Sequence, residues 1–426
     1  MNKTRKLASI LALGLAVVLL PFSQRGQAHP ATPQTPILGP HIDIWLDDVD
    51  NYATGVAYNN LHDEYLVVWN NDRGATSDIY ARRVRSDGTL LSNFTIAHSP
   101  GYRYYEADVA YSPTHDEYLV VYTFDSPTTG SDIWARRVAW DGSWIKPEFA
   151  IRQEADNQHS PAIAYNSQFD EYLVVYQNTW IGDLQDIAAQ RVRASDGALE
   201  SWCNIATAPP SSPDEKRIYP DVAYNAARNE YLIVYAYQAT STYDPGDVYG
   251  KISSADMGGL SDEIHICDTS VSQLWRPHVA AGPDEYLVVW ANRFANPILD
   301  DVYARRVSWS GIPQDPVDGF PVAEGMGYQM NPTVAYGAAY GYLITWHDAP
   351  TNWHTYGRYV LPGHDAAVGV GVELSDTESF DTLVEMACAP TGTCLVVTSA
   401  FLSTNYDIVG RIVSPHRVYL PLVVHN

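Results

Sequence analysis

His347 and Asp348 stand side by side with His354 six residues further on, the grouping in this sequence best suited to proton transfer. An imidazole oriented by a carboxylate can take or give a proton near neutral pH, and the same side chains could contribute ligands to a metal. No Ser or Cys nucleophile signature accompanies them, so the grouping assigns no catalytic residue. A second set is aromatic and polar: Tyr102, Tyr105, Asp125 and His159 in the first half, then Trp180, Trp275, Arg276, Arg293 and Trp353. Aromatic rings stack on the apolar faces of sugars while carboxylates and amides take the hydroxyls, a mixture that suits a carbohydrate or a peptide. The bland reading is that such aromatics cover strand ends, in a chain with 30 tyrosines and 12 tryptophans.

These residues are far apart in sequence, so the elements that position them decide whether they can act together. The segment Glu64-Tyr65-Leu66-Val67-Val68-Trp69 returns seven times, starting at Tyr65, Tyr118, Tyr172, Tyr231, Tyr286, Tyr342 and, in degenerate form, Cys394. Spacings of 52 to 59 residues mark a repeat architecture. Each copy follows a motif such as Asp108-Val109-Ala110-Tyr111 and precedes one such as Asp78-Ile79-Tyr80-Ala81-Arg82-Arg83-Val84. An Asp87-Gly88 type of turn, a two-residue hairpin signal, leads to a short last segment. Each unit therefore reads as a four-stranded antiparallel meander, strands A to D. Strand B is apolar on both faces and must be sandwiched between neighbouring sheets, which radial packing of like sheets achieves. The expected fold is all-β, a seven-bladed β-propeller. Because no D strand follows the last C strand, Ile42-Asp43-Ile44-Trp45 is expected to complete the seventh blade and close the ring.

The combined pattern of Tyr-Leu-Val-Val-Trp, Asp-Ile-Tyr-Ala-Arg-Arg-Val and Asp-Gly resembles the propeller repeats of large secreted bacterial proteins, mostly uncharacterised. It spans about residues 42–413, specifies the fold, and brings no catalytic residues with it. The C-terminal Tyr419-Leu420-Pro421-Leu422-Val423-Val424 is similar to tails that end exported proteins of some filamentous bacteria. The Asp-Gly turns also invite comparison with the Asp-box of sialidases, but Ser86-Asp87-Gly88-Thr89 lacks that motif's spacing and aromatic.

In a propeller the D–A and B–C loops gather at one face around the central channel, and function usually lives in such loops. All the aromatic and polar candidates above, with His347 and Asp348, fall there. The Asp at the start of strand C and the basic residue four places later recur in nearly every blade. They are expected to tie blades together or cap loop amides rather than mark one site.

Residues 1–28 read as a signal peptide, 29–41 as a Pro-rich linker, 42–413 as the propeller and 414–426 as an apolar tail. Of the 26 basic residues, four (Lys3, Arg5, Lys6, Arg25) leave with the leader and none of the 50 acidic ones does, deepening the formal charge from −24 to −28. Such a field repels phosphate backbones and anionic lipid heads, so nucleic acid is not an expected partner, and no further run is apolar enough to span a membrane. The acidity admits Ca²⁺, with Asp47-Asp48-Val49-Asp50-Asn51 the nearest cluster, but no Asp-x-Asp-x-Asn-Gly loop supports it and no cofactor is assigned. Cys388 and Cys394 flank the A–B hairpin of blade seven and are expected to form a disulfide; no such pairing is assigned to Cys203 and Cys267. The expected protein is secreted or held at the cell surface, monomeric, and a non-catalytic binding module for an extracellular glycan, peptide or protein. The alternatives are a polysaccharide-active hydrolase or lyase at the channel mouth, or a protein scaffold with no small-molecule site.

Overall fold

The computed structural model describes residues 36–126, 128–179, 185–207, 215–238, 246–267, 272–295, 298–325, 327–349, 353–375 and 380–414. The signal peptide, most of the linker, Trp180 and nearly all of the tail lie outside them. The described residues form 28 strands, numbered β1 to β28 in chain order, and no helix. They pair as seven four-stranded antiparallel blades, the protein being a seven-bladed β-propeller. The innermost A strands are β2 (Asp50–Asn59), β6 (Arg103–Ser112), β10 (Asn157–Asn166), β14 (Lys216–Asn225), β18 (Ser272–Ala281), β22 (Gln329–Gly337) and β26 (Phe380–Cys388).

Ring closure follows from the strand order. β1 (Ile37–Trp45) pairs antiparallel with β28 (Tyr406–Ser414), so the N-terminal strand supplies the missing D strand of blade seven. The pairing begins at Ile37, which moves residues 37–41 from the expected linker into the sheet. His41, opposite Arg411 in the register, belongs to this ladder.

Every B strand is buried on both faces. Tyr65, Leu66, Val67, Val68 and Trp69 are all fully buried, as are their counterparts from Tyr286 to Trp290. At the closing seam, Tyr65, Val67 and Trp69 of blade one share a core layer with Ile42, Ile44, Leu395, Val397 and Ile408 of blade seven. The fourth place of the C-strand motif is Ala or Gly in every blade, because a D-strand aliphatic lies directly over it. At Gly410 a Cβ would come within 2.8 Å of Ile44 Cδ1.

The repeated charged residues act as ties. Arg82, Arg305 and Arg358 donate through Nη1 to the carbonyls of Ile44, Ile266 and Val322, on the D strand of the preceding blade, at 2.6–2.7 Å. The Glu before strand B pairs across to the C-strand Arg, as in Glu64–Arg83 and Glu117–Arg137. His62 and His115 bond Asp116 and Asp170 in the A–B turn of the next blade at 2.8 and 2.7 Å. Cys388 and Cys394, directly opposite in the hairpin, are disulfide-bonded, whereas Cys203 and Cys267 are not.

The Asp-Gly turns correct one expectation. Arg85 N donates to Thr89 O and Gly88 N to Arg85 O, each at 2.9 Å, and in the turn only Gly88 has positive φ, at 88°. This loop and the one at Asp141-Gly142 hold three residues, a tight turn followed by a left-handed Gly, and the one at Asp196-Gly197 holds four, so none is a two-residue hairpin.

If β1 is the latch of the ring, Ile44→Ala should destabilise the whole propeller by about 2–4 kcal/mol, the cost of emptying a fully buried aliphatic site. Urea unfolding measures this. A loss well below that range would mean that the ring holds without the latch packing.

Candidate functional site

Each of the seven A strands carries a β-bulge at the same place, where one residue more than on the B strand is accommodated. In five blades the first bulge residue has left-handed backbone geometry: Glu106 (φ 51°), Ser160 (49°), Tyr219 (54°), Arg276 (29°) and Asn331 (50°). Glycine is the residue that tolerates this conformation without penalty, and none of the five is glycine. Pro161, Pro220, Pro277 and Pro332 follow four of them, and a following proline disfavours the right-handed helical alternative.

The bulges turn their side chains toward the axis, around a cavity of about 250 Å³ lined by the A strands of all seven blades and by Asn70. Glu106, Ser160, Tyr219 and Arg276 line it. They lie toward the start of each A strand, at the end facing the D–A loops. Ser160 N donates to Glu106 Oε2 at 2.8 Å; Arg276 Nη2 lies 3.7 Å from Glu106 Oε1, with its guanidinium 5.1 Å from the centre of the Tyr219 ring.

Below them sits a charged layer made by the residue that opens the Val-Ala-Tyr motif: Asp108, Asp221 and His278 in blades two, four and five. The two aspartates are built alike. Asp108 accepts from Val109 N (2.7 Å) and, across the blade boundary, from Ile163 N (2.9 Å). Asp221 accepts from Val222 N and Val279 N, both at 2.8 Å. Each carboxylate therefore holds two inward-facing amides that would otherwise lack partners. Gly55 occupies the corresponding place in blade one, where a Cβ would come within 2.9 Å of Asp108 Oδ1.

The seventh blade adds Glu385 to the same layer: opposite Val397 in the register, it stands where blades one to six place Gly55, Asp108, Ala162, Asp221, His278 and Thr333, and Met386 takes the following Val or Ile position. The Glu385 carboxylate lines the cavity and accepts no hydrogen bond from any described residue. The surface it retains faces the channel, while protein surrounds it. Burial pushes the Glu385 carboxyl up to about 7; the positive charge of His278 opposes the rise, Asp221 adds to it and Arg276 opposes it. Asp108 is raised well above the usual carboxylate range, first by burial, against the pull of the two amides, with Glu385 and Asp221 adding to the rise. Burial alone would depress His278, but Asp221, 3.5 Å from Nδ1, and Glu385 outweigh it and hold the imidazole above its ordinary value.

Of the residues singled out in the sequence, Arg276 lines the cavity. Tyr105, Asp125 and His159 stand together by the blade-two and blade-three bulges. Ser131 Oγ connects Tyr105 and Asp125, at 3.2 Å from each, and burial lowers the His159 pKa against the charges of Glu106 and Asp125. Tyr102 packs on Phe124, with ring centres 5.4 Å apart. Trp275 and Arg293 are placed by their backbones on β18 and on β19 (Glu285–Ala295), and their side chains lie outside the described residues.

The His347, Asp348 and His354 grouping does not converge. His347 is fully buried, 3.4 Å from Thr398 Oγ1 of the next blade, and burial depresses its pKa to about 3, so it is a neutral core residue. Asp348, on the opposite face of the strand, accepts from Gln329 Nε2 at 3.0 Å, and His354 bonds Glu373. Trp353 stacks on Tyr328 with ring centres 6.2 Å apart. The acidic run at 47–51 is also committed to protein: the Asp47 carboxylate accepts from Trp45 Nε1, Val49 N, Asn51 Nδ2 and Asn71 Nδ2 at 2.7–3.0 Å, which leaves it poorly suited to a cation. Among the described residues no group of three or more His, Cys, Asp or Glu side chains has metal-binding geometry.

Sequence reading missed Glu106, Ser160, Asp108, Asp221 and Glu385 as site residues. The available signal lay in the residue that opens the Val-Ala-Tyr motif, which is charged in four blades, as Asp108, Asp221, His278 and Glu385, and uncharged in the other three.

No family model matches the chain, and no curated protein matches it. Solved structures do. The α-L-arabinanase of Penicillium chrysogenum, solved with arabinobiose, is 14% identical with a TM-score of 0.50, covering 89% of this chain and 98% of that one. A protein of unknown function from Dyadobacter fermentans is 11% identical, also at 0.50, covering 89% and 99%. The Hadza microbial sialidase Hz136 is 10% identical at 0.50, covering 86% of this chain and 66% of that one. At these identities the likeness establishes the propeller fold alone.

Ionising Glu385 is harder in the folded protein than in the unfolded chain. Its favourable contribution is therefore complete below the ordinary value of 4.5 and is lost as pH rises through about 7. Glu385→Gln should leave stability at pH 4 nearly unchanged and raise it at pH 8 by about 2–3 kcal/mol. Urea unfolding at both pH values tests this, and an equal effect at the two would show that the carboxyl titrates normally.

Proposed function

We propose that the axial cavity is a ligand site and that this propeller is an exported, non-catalytic carbohydrate-binding module, reached from the D–A loop face. One observation carries the reading. Four blades place four different polar side chains, Glu106, Ser160, Tyr219 and Arg276, on strained left-handed positions around one cavity. A purely structural bulge would be filled by glycine and would repeat from blade to blade. Strain of this kind, about 1 kcal/mol or more at each residue, is retained where the side chain is needed. The chemistry matches sugar recognition: Tyr219 offers a ring face, Arg276 and Ser160 offer donors, and Glu106 offers acceptors. Propellers of similar fold include an arabinanase bound to arabinobiose and a sialidase, in keeping with a glycan ligand.

Hydrolysis at the same cavity is a second reading, favoured by Glu385 alone, because a carboxyl poised near neutral pH can donate a proton to a leaving oxygen. Export rests on the N-terminal leader, and the tail beyond Ser414 is left outside the binding reading.

The test is titration of the leaderless chain, residues 29–426, against a panel of oligosaccharides, with reducing-end release measured in parallel. Arg276→Ala and Tyr219→Ala should each weaken binding at least tenfold, about 1.4 kcal/mol or more. Val370→Ser, on the outer edge of blade six and highly exposed, should leave it unchanged. Binding that ignores the two cavity substitutions would move the site elsewhere, and release of reducing ends would replace the binding reading by the hydrolytic one.

A further inference from the structure

Acidic groups outnumber basic ones around the axial cavity. The A strands of blades two, four, five and seven bring Glu106, Asp108, Asp221 and Glu385 to it, against Arg276 and His278. Strands β2, β10 and β22 add no titratable side chain to the lining. Four acidic groups thus face two basic ones, in a space enclosed by protein where unit charges interact more strongly than at a surface.

The acidic groups differ in what they already hold. Asp108 and Asp221 each accept two backbone amides, and Glu106 accepts Ser160 N and Thr123 Oγ1. Glu385 accepts nothing from any described residue, although it projects into the cavity from the position that Asp108 and Asp221 hold in blades two and four. Those two carboxyls offset their burial by holding amides, whereas an unpartnered carboxyl in the same layer is costly to the fold. A ligand atom is the partner it lacks.

Resting on the reading of this cavity as a glycan site, we propose that the sugar unit it seats carries a free primary amine, as in a non-acetylated amino sugar, whose ammonium is received by the Glu385 carboxylate. The excess of acidic groups favours a cationic unit, and it works against uronic and other carboxylated sugars, which would bring like charge into the same space. Tyr219 and Arg276, nearer the mouth, are then left for the ring face and hydroxyls of the same or the adjoining unit.

The charge transfer leaves a signature. Without ligand the Glu385 carboxyl is largely protonated below neutral pH, being held up to about 7 mainly by burial, with Asp108 and Asp221 also acidic neighbours and His278 and Arg276 opposing. Seating an ammonium against it stabilises the carboxylate, so binding expels that proton to solvent. About one proton per ligand should be released near pH 6; at pH 9, where the Glu385 carboxyl is already ionised and the free amine is largely unprotonated, a proton should be taken up instead.

Isothermal titration of residues 29–426 in two buffers of different ionisation enthalpy reads both affinity and proton release. The probes are a glucosamine tetramer, its fully N-acetylated counterpart, a neutral glucose tetramer, a galacturonic acid tetramer and a lysine tetrapeptide. The expected result is that the glucosamine tetramer binds at least tenfold more tightly than the acetylated and neutral ones, that the galacturonic acid tetramer does not bind, and that proton release near pH 6 is lost in Glu385→Gln. Thermal unfolding of that variant separates lost binding from lost fold. Preference for the neutral or acetylated tetramer would overturn the amine assignment and leave the glycan site standing. Absence of binding by every saccharide would overturn both. Equal or tighter binding of the lysine peptide would overturn the amino sugar as the source of the ammonium.

Discussion

A strand that is apolar on both faces cannot lie at the surface of anything, and this structure is organised around seven of them. Tyr65 to Trp69 and their counterparts are buried from both sides, so each blade needs a neighbour left and right, and no blade can be terminal. A ring is the arrangement of like sheets that satisfies all seven equally. The ring must then be closed by the chain's own ends, and β1 does this by pairing with β28 and placing Ile44 over Gly410. The ties at the rim follow the same logic. Arg82, Arg305 and Arg358 each spend one N–H on a carbonyl of the preceding blade, so the blade boundary is hydrogen-bonded as well as packed.

Closure has a consequence at the axis. Seven A strands converge there, and their inward-facing backbone groups have no further sheet to pair with. The bulges and the aspartates answer this need together. Asp108 and Asp221 each gather an amide from their own strand and one from the following blade, converting stray donors into cross-blade ties. The scaffold could have stopped there, with small residues elsewhere around the channel. Instead the first bulge position varies from Glu to Ser to Tyr to Arg, and its backbone is strained in each case.

That division explains what could be read from the sequence. The repeat made the blades, the double-faced B strand and the latch legible, because each depends on apolar periodicity and on one strand missing at the end of the chain. Arg276, Tyr105, Asp125 and His159 were legible as polar or aromatic departures in loops near the channel. The same rule misled at His347, whose motif position is the outer half of a B strand, where an imidazole can be swallowed by the blade boundary and held neutral. Glu106, Asp108, Asp221 and Glu385 were hidden for the opposite reason. They lie within A strands, where a residue is first taken as part of the ladder, and the bulge that swings them to the axis leaves no mark in apolar periodicity.

Glu385 is where the demands of fold and site diverge most. Its equivalents in the other blades are Gly55, Asp108, Ala162, Asp221, His278 and Thr333, and the two aspartates among them each accept one backbone N–H from their own strand and one from the following blade. A carboxyl at 385 holding two amides would continue that pattern. The carboxyl instead stands beside acidic neighbours, and only His278 and Arg276 offset them. His278 is itself held charged in part by Glu385, so the two groups are mutually dependent: neutralising one lowers the tendency of the other to carry charge. A purely structural pair would have settled this by direct hydrogen bonding, as Glu117 and Arg137 do within blade two. Here the imidazole turns to Asp221, and the carboxylate is left toward the open volume of the channel. The ring thus keeps one acid unsatisfied at its axis, on the innermost strand of the blade that β1 completes.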